Sequence, residues 1–277
     1  MSTPTTANDS GWQLRGSAAE AYEAHLVPAI FDAMSARLVA AAEVEAGDCV
    51  LDVAWGTGVV ARAAAQRAGA IGAVTGVDVN PDMLATARRA AAGITPSIAF
   101  EQADATDLPF DDGAFDVVVC QEALQFFSDR SAALREMRRV TRPGGRMACS
   151  VFRSLDHHRV YAVFARALGE HAGTQAAEMM GSPFALGDAD LLRQAVSEAG
   201  WDAVEIRIAV SDERFPSVTE FVRQEAASSP LAGPLSKLAD DQHAALVATL
   251  EQRLSPYLDD GGLVFPNETH IITGRAT

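Results

Sequence analysis

Basic residues are scarce in this 277-residue chain: 22 Lys and Arg face 37 Asp and Glu, for a formal net charge of −15. A phosphate backbone repels such a surface, so nucleic acid is a poor default partner, and an anionic membrane is disfavoured for the same reason. The excess of acid reads first as solubility. Cysteine is scarcer still. Cys49, Cys120 and Cys149 are odd in number and contain no CxxC pair, which argues against a disulfide framework and a zinc site. Buried free thiols in a reducing compartment, and no metal, are the expectation. Long hydrophobic runs are missing too. None reaches the ~20 residues of a membrane span, and the opening MSTPTTANDSGW lacks the basic-then-apolar pattern of a leader. We expect a cytoplasmic protein, monomeric or homodimeric, acting on a small molecule.

What is present is material for a core. Hydrophobic residues make up 48%, too many for wholesale disorder. Residues 1–16 read as a loose arm, and 17–46 as two Ala-, Glu- and Leu-rich helices separated at Pro28. Short apolar runs then alternate with helical stretches. Strands are expected near 49–54, 73–78, 97–101, 115–120 and 146–152, as in a parallel sheet buried on both faces. Asn80-Pro81 starts one helix and Pro143-Gly144-Gly145 follows another. Residues 202–210 and 267–274 read as two more strands, flanking a helical insertion at about 216–260. The pattern predicts a doubly wound α/β fold with a seven-stranded, mostly parallel sheet, N-terminal helices and a helical cap. It divides into an arm and covering helices (1–46), a ligand-binding core (47–153) and the rest of the sheet with the cap (154–277).

The glycine turn in LDVAWGTGVV, residues 51–60, invites a ligand against the backbone. A P-loop is excluded, because no Gly-Lys-Ser/Thr follows. Gly56, Gly58 and Ala61 fit a dinucleotide fingerprint, with Asp78 twenty residues past Gly58, so a nicotinamide or flavin remains open on pattern alone. Asp52, immediately before the turn, argues against a pyrophosphate there, since like charges repel. A phosphate-free ligand with a cationic end suits it better, and S-adenosylmethionine is one.

VLDVAWGTG resembles the first motif of class I S-adenosylmethionine-dependent methyltransferases, with Asp52, Ala54, Gly56 and Gly58 on its acidic and glycine positions. GVDVNPDML resembles the second, with Asp78 on the acid that binds the ribose hydroxyls. FEQADATDLPFDDGAFDVVVCQEALQFF resembles the third and fourth: Asp104 and Ala105 fall where the family contacts adenine, and Gln121 where it meets the methionine end. LREMRRVTRPGGRM resembles the helix and turn before the fifth strand. The likeness runs from about 45 to 153 and is closest to the ubiquinone/menaquinone C-methyltransferase-like group.

The resemblance implies adenosylmethionine as cofactor and methyl transfer to a small, lipophilic metabolite. Met83 can pack on the purine. Tyr22, Trp12 and Arg15 can cover the cofactor, Arg15 pairing with its carboxylate. Two departures stand out. Ala54 replaces a glycine, which is tolerable if its φ is negative. Trp55 replaces a small residue: its indole either fills the sheet–helix packing, given a small neighbour, or narrows the cofactor pocket. We expect the first. A base is needed only if the acceptor carries a proton; His157, His158 and Glu122 are the candidates, followed by His270. Phe126, Phe127, Phe152, Phe164 and Phe184 can line an apolar acceptor pocket. Two other readings stay open: adenosylmethionine bound without methyl transfer, as in a cyclisation or elimination, and a non-catalytic binding protein with Trp55 in the pocket.

Overall fold

A computed structural model describes Leu14 and residues 17–277. The expected five parallel strands are present as β1 (Cys49–Val53), β2 (Ala73–Asp78), β3 (Ile98–Gln102), β4 (Phe115–Gln121) and β5 (Thr141–Phe152). β5 starts earlier than the Pro-Gly-Gly stop implies. Its pairing with β4 begins at Thr141, breaks at a bulge, and resumes at Arg146. After β6 (Asp202–Phe215) comes the cap, α9 (Val218–Ser228), α10 (Ala232–Leu235) and α11 (Asp240–Leu254), then β7 (Leu258–Asp259) and β8 (Gly262–Arg275). The sheet has eight strands rather than seven, in the order β3-β2-β1-β4-β5-β8-β6, with the two-residue β7 paired to β8 off that path. β8 runs antiparallel between β5 and β6.

Chain order reverses between β1 and β4, which opens a crevice at the carboxyl ends of those strands. Helices cover both faces. On one lie α3 (Val59–Ala68), α4 (Pro81–Ala90), α6 (Arg159–His171), α7 (Thr174–Gly181) and the cap; on the other α5 (Arg130–Val140) and α8 (Ala189–Glu198). Cys120 and Cys149 are buried free thiols as expected, while Cys49 is only half-buried.

Pro28 does not separate two helices. Residues Ser17–Ala41 form one rod: α1 (Ser17–Ala21), a π-helical stretch (Tyr22–Phe31) containing the proline, and α2 (Asp32–Ala41). Proline lacks the N–H for an i→i−4 bond and crowds that carbonyl. The wider π turn absorbs this, and the Asp32 N–H bonds the Val27 carbonyl five residues back. Joined in this way, the rod is long and apolar enough to cross a bilayer by length and composition, contrary to the expectation from the linear sequence. Its apolar side, including Leu26, Ile30, Phe31 and Leu38, is buried in the core.

Candidate cofactor site

β1 ends in the turn Ala54–Gly58, and α3 begins at Val59 with left-handed Gly58 as its N-cap (φ 84). Gly56 is left-handed as well (φ 57), and a Cβ on it would meet nothing within 4 Å, so a ligand can lie directly on the backbone there. Ala54 also has positive φ, at 55, against the expectation of a relaxed alanine. An L-residue there costs about 1–2 kcal/mol. Ala54→Gly is therefore expected to raise stability by up to about 1 kcal/mol after the glycine's unfolded-state entropy is offset, a gain measurable by urea denaturation.

Trp55 turns away from the crevice. Its indole is 4% exposed and lies on Gly76 of β2, where an added Cβ would come within 2.0 Å of Cε3. It also meets the Phe100 ring at 4.2 Å between centroids. Gly76 is the small neighbour that the first orientation requires.

The cavity beyond the turn is lined by Ala54, Gly56, Asp78, Met83, Asp104, Ala105, Gln121, Glu122 and Tyr22, nine of the residues singled out from sequence. Asp78, at the end of β2, accepts from the Gly56 N–H (2.9 Å) and the Asn80 N–H (2.8 Å), which fixes its carboxylate beside the loop. Burial pushes its pKa up to about 6, against the pull of the N–H groups of Asn80, Gly56 and Val79. Asp104 accepts from the Thr106 N–H and hydroxyl at 2.9 and 2.8 Å, which orients it at the wall. Gln121 donates to the Phe31 carbonyl at 3.2 Å, tying β4 to the N-terminal rod, while its Oε1 is buried without a partner among the described residues. Glu122 follows in a left-handed conformation (φ 48) and is 8% exposed. Burial raises its pKa to about 8; Ser150, the Phe152 backbone and Thr269 pull the other way. Burial, then the charges of Glu122, Glu23 and Asp78, raises that of Tyr22.

Several expected residues lie elsewhere. Asp52 is fully buried outside the cavity, and burial, with Asp78 adding to it, drives it far toward its neutral form. It does not face a ligand in the cavity as expected; the carboxylates that line it are Asp78, Asp104 and Glu122. Trp55 and Gly58 shape the turn from behind and do not line the cavity. His158 is packed at 4.6 Å between ring centroids against Phe184. The Glu268 N–H and Asn267 Oδ1 each lie 3.2 Å from its Nε2, and the Ser154 carbonyl lies 3.3 Å from its Nδ1. Burial lowers its pKa, and the ring is part of the core rather than of the cavity wall. His157 receives a bond from Arg153 (2.9 Å) and His270 bonds the Gly187 carbonyl (3.1 Å). None of the three lines the cavity. Phe126 and Phe127 do, whereas Phe152, Phe164 and Phe184 join the aromatic core. Trp12 and Arg15 lie outside the described residues.

Sequence reading missed Asn80 and Leu14. Asn80 caps α4 through Oδ1 and donates from Nδ2 to the Leu14 carbonyl at 2.6 Å, closing one side of the cavity. Its cap role was visible before Pro81, but its second bond spans 66 residues and leaves no local signal.

Residues 50–145 match the family model described as a methyltransferase domain. A ubiquinone/menaquinone biosynthesis C-methyltransferase of Idiomarina loihiensis is 42% identical over 106 residues, covering 38% of this chain and 42% of the relative. The chain thus spans less than half the length of that curated relative. The YcgJ protein of Bacillus subtilis shares the fold, with TM-score 0.60 at 19% identity, over 88% of this chain and 98% of that one. The (4+2)-cyclase SpnF aligns at 25% identity with TM-score 0.53, over 88% of this chain and 80% of the other. Residues 50–145 thus match a methyltransferase domain, and the similarity to the ubiquinone/menaquinone C-methyltransferases is confined to about that part of the chain.

Proposed function

We propose that the chain binds S-adenosylmethionine in this cavity and transfers its methyl group to a small, lipophilic metabolite. The observation that carries the reading is the convergence of Asp78, the Gly56 backbone, Asp104 and Gln121 on one crevice, with the indole of Trp55 turned out of it. Asp78 accepts from the two ribose hydroxyls, a charge-assisted pair that suits one carboxylate. Asp104 and Ala105 meet the adenine edge, Met83 packs on its face, and Gln121 holds the methionine end. Tyr22 closes the site from the N-terminal rod. Bound there, the cofactor supplies an electrophilic methyl on a sulfonium. The protein contributes alignment and a dry pocket. Where the acceptor carries a proton, Glu122 is the residue to take it, and its capacity to do so grows as pH rises through about 8.

Calorimetric titration tests the binding step. Adenosylmethionine should bind the wild type, and Asp78→Ala should weaken it about 100-fold while leaving the far-ultraviolet spectrum intact, the loss expected of two charged hydrogen bonds. No heat of binding to the wild type would end the proposal. A second reading, adenosylmethionine bound without transfer, draws support from the likeness to a cyclase. Cofactor labelled in its methyl group separates the two: label in a product, with adenosylhomocysteine released, supports transfer, and turnover with neither supports the second reading.

A further inference from the structure

β6 ends the sheet. One of its edges pairs β8, and among the described residues the other pairs no strand. Such an edge, with Ile208 54% and Val210 46% exposed, is a template for a further strand. Two arginines bound the usable stretch. Arg193 of α8 donates to the Val204 carbonyl at 2.8 Å, and Arg37 of α2 donates to the Val210 carbonyl. Among the described residues no side chain bonds the backbone between those two positions.

The strand from just before the first of those positions to just before the second reads AVEIRIA, residues 203–209. It is a palindrome in size and a complement in charge about Ile206. Laid antiparallel on its own copy, it sets Val204 opposite Ile208 and Glu205 opposite Arg207, and symmetry repeats each pair. Opposite charges directly across two strands stabilise them, and like charges disrupt them. Glu205 and Arg207 are well exposed and bond each other within the strand at 2.9 Å, so both can exchange that contact for one across the axis. The apolar residues Val204, Ile206 and Ile208 fall on the opposite face, only partly covered by α8. A bulge between Asp202 and Glu205, with Ala203 at φ 50, bends the strand just before this ladder. The bond from Arg193 is no obstacle, because a carbonyl has two lone pairs.

We infer that a second copy of this chain docks antiparallel along β6, about a two-fold axis at Ile206, so that two sheets become one across a homodimer. The contact is isologous and closes on itself, so it ends at two copies rather than a fibre.

Sedimentation of the full chain tests this, with circular dichroism as the control for folding. The wild type should sediment as a dimer at micromolar concentration. Glu205→Arg sets two arginine pairs across the axis and Arg207→Glu two glutamate pairs; each should weaken association about tenfold or more. The double exchange, Glu205→Arg with Arg207→Glu, restores opposite charges and should return the affinity to within about threefold of wild type. Ile206→Lys puts two charges on the axis itself and should give monomers. A monomeric wild type, a double exchange as weak as either single, or a dimer that survives Ile206→Lys would each overturn the inference.

Discussion

Gly76→Ala is expected to destabilise the protein by about 3 kcal/mol, the upper end for an overpacked core. The new methyl would have to occupy the space of the Trp55 ring, 2.0 Å from Cε3. That ring is buried, lies against Phe100 and follows a strand end, so it has no route to solvent. Trp55→Ala alone is expected to cost about 3–5 kcal/mol through the cavity it leaves. Because the two side chains compete for one space, the double variant should lose less than the two single losses added, by about 2 kcal/mol. Urea denaturation of the four proteins measures the coupling. Strict additivity would mean that the indole does not lie on Gly76.

Raising the pH from about 5 to about 8 is expected to cost several kcal/mol of stability, at up to ~1.4 kcal/mol per pH unit for each proton the native state retains. The main source is under the cap. The Tyr161 hydroxyl lies 2.7 Å from Glu213 Oε2 and 3.2 Å from Glu225 Oε1, all three groups being buried. One hydroxyl proton cannot serve two carboxylates, so one carboxyl keeps its own proton and donates it. Burial raises Glu213 from 4.5 to about 8, with the charge of Glu225 adding to it, and burial raises Glu225 from 4.5 to about 7. Groups raised in this way contribute stability that is complete below the unfolded value of 4.5 and is lost as pH climbs through the folded values. Glu122, raised to about 8, and Asp78, raised to about 6, act in the same direction. Denaturation midpoints across that range should fall in the wild type and fall less steeply in Glu213→Gln. A flat wild-type profile would contradict the assignment.

The sheet was legible because its signals are local. Each parallel strand is a short apolar run bounded by Gly, Pro, Asn or Asp, and the acids that end β2 and follow β3 keep fixed spacing from the turn. What the sequence left open or misplaced depends on distant partners. The direction of Trp55 is set by Gly76 and Phe100, and the burial of Asp52 by the layers stacked on β1. His157 and His158 follow β5, but sequence alone does not tell which way a short turn aims a ring; the aromatic core took His158. Pro28 breaks a helix by rule, and a π turn evades the rule at a cost only the packing of the rod repays. The edge palindrome on β6 was in plain view, yet it gains meaning only once that strand is known to end the sheet.

A crystal structure of the chain with adenosylhomocysteine tests the central claim most directly. The ribose hydroxyls should sit on the Asp78 carboxylate and the purine between Met83 and the Asp104–Ala105 wall, with Trp55 unmoved against Gly76. Nucleoside density away from Asp78, or an indole swung into the methionine end of the crevice, would contradict the account.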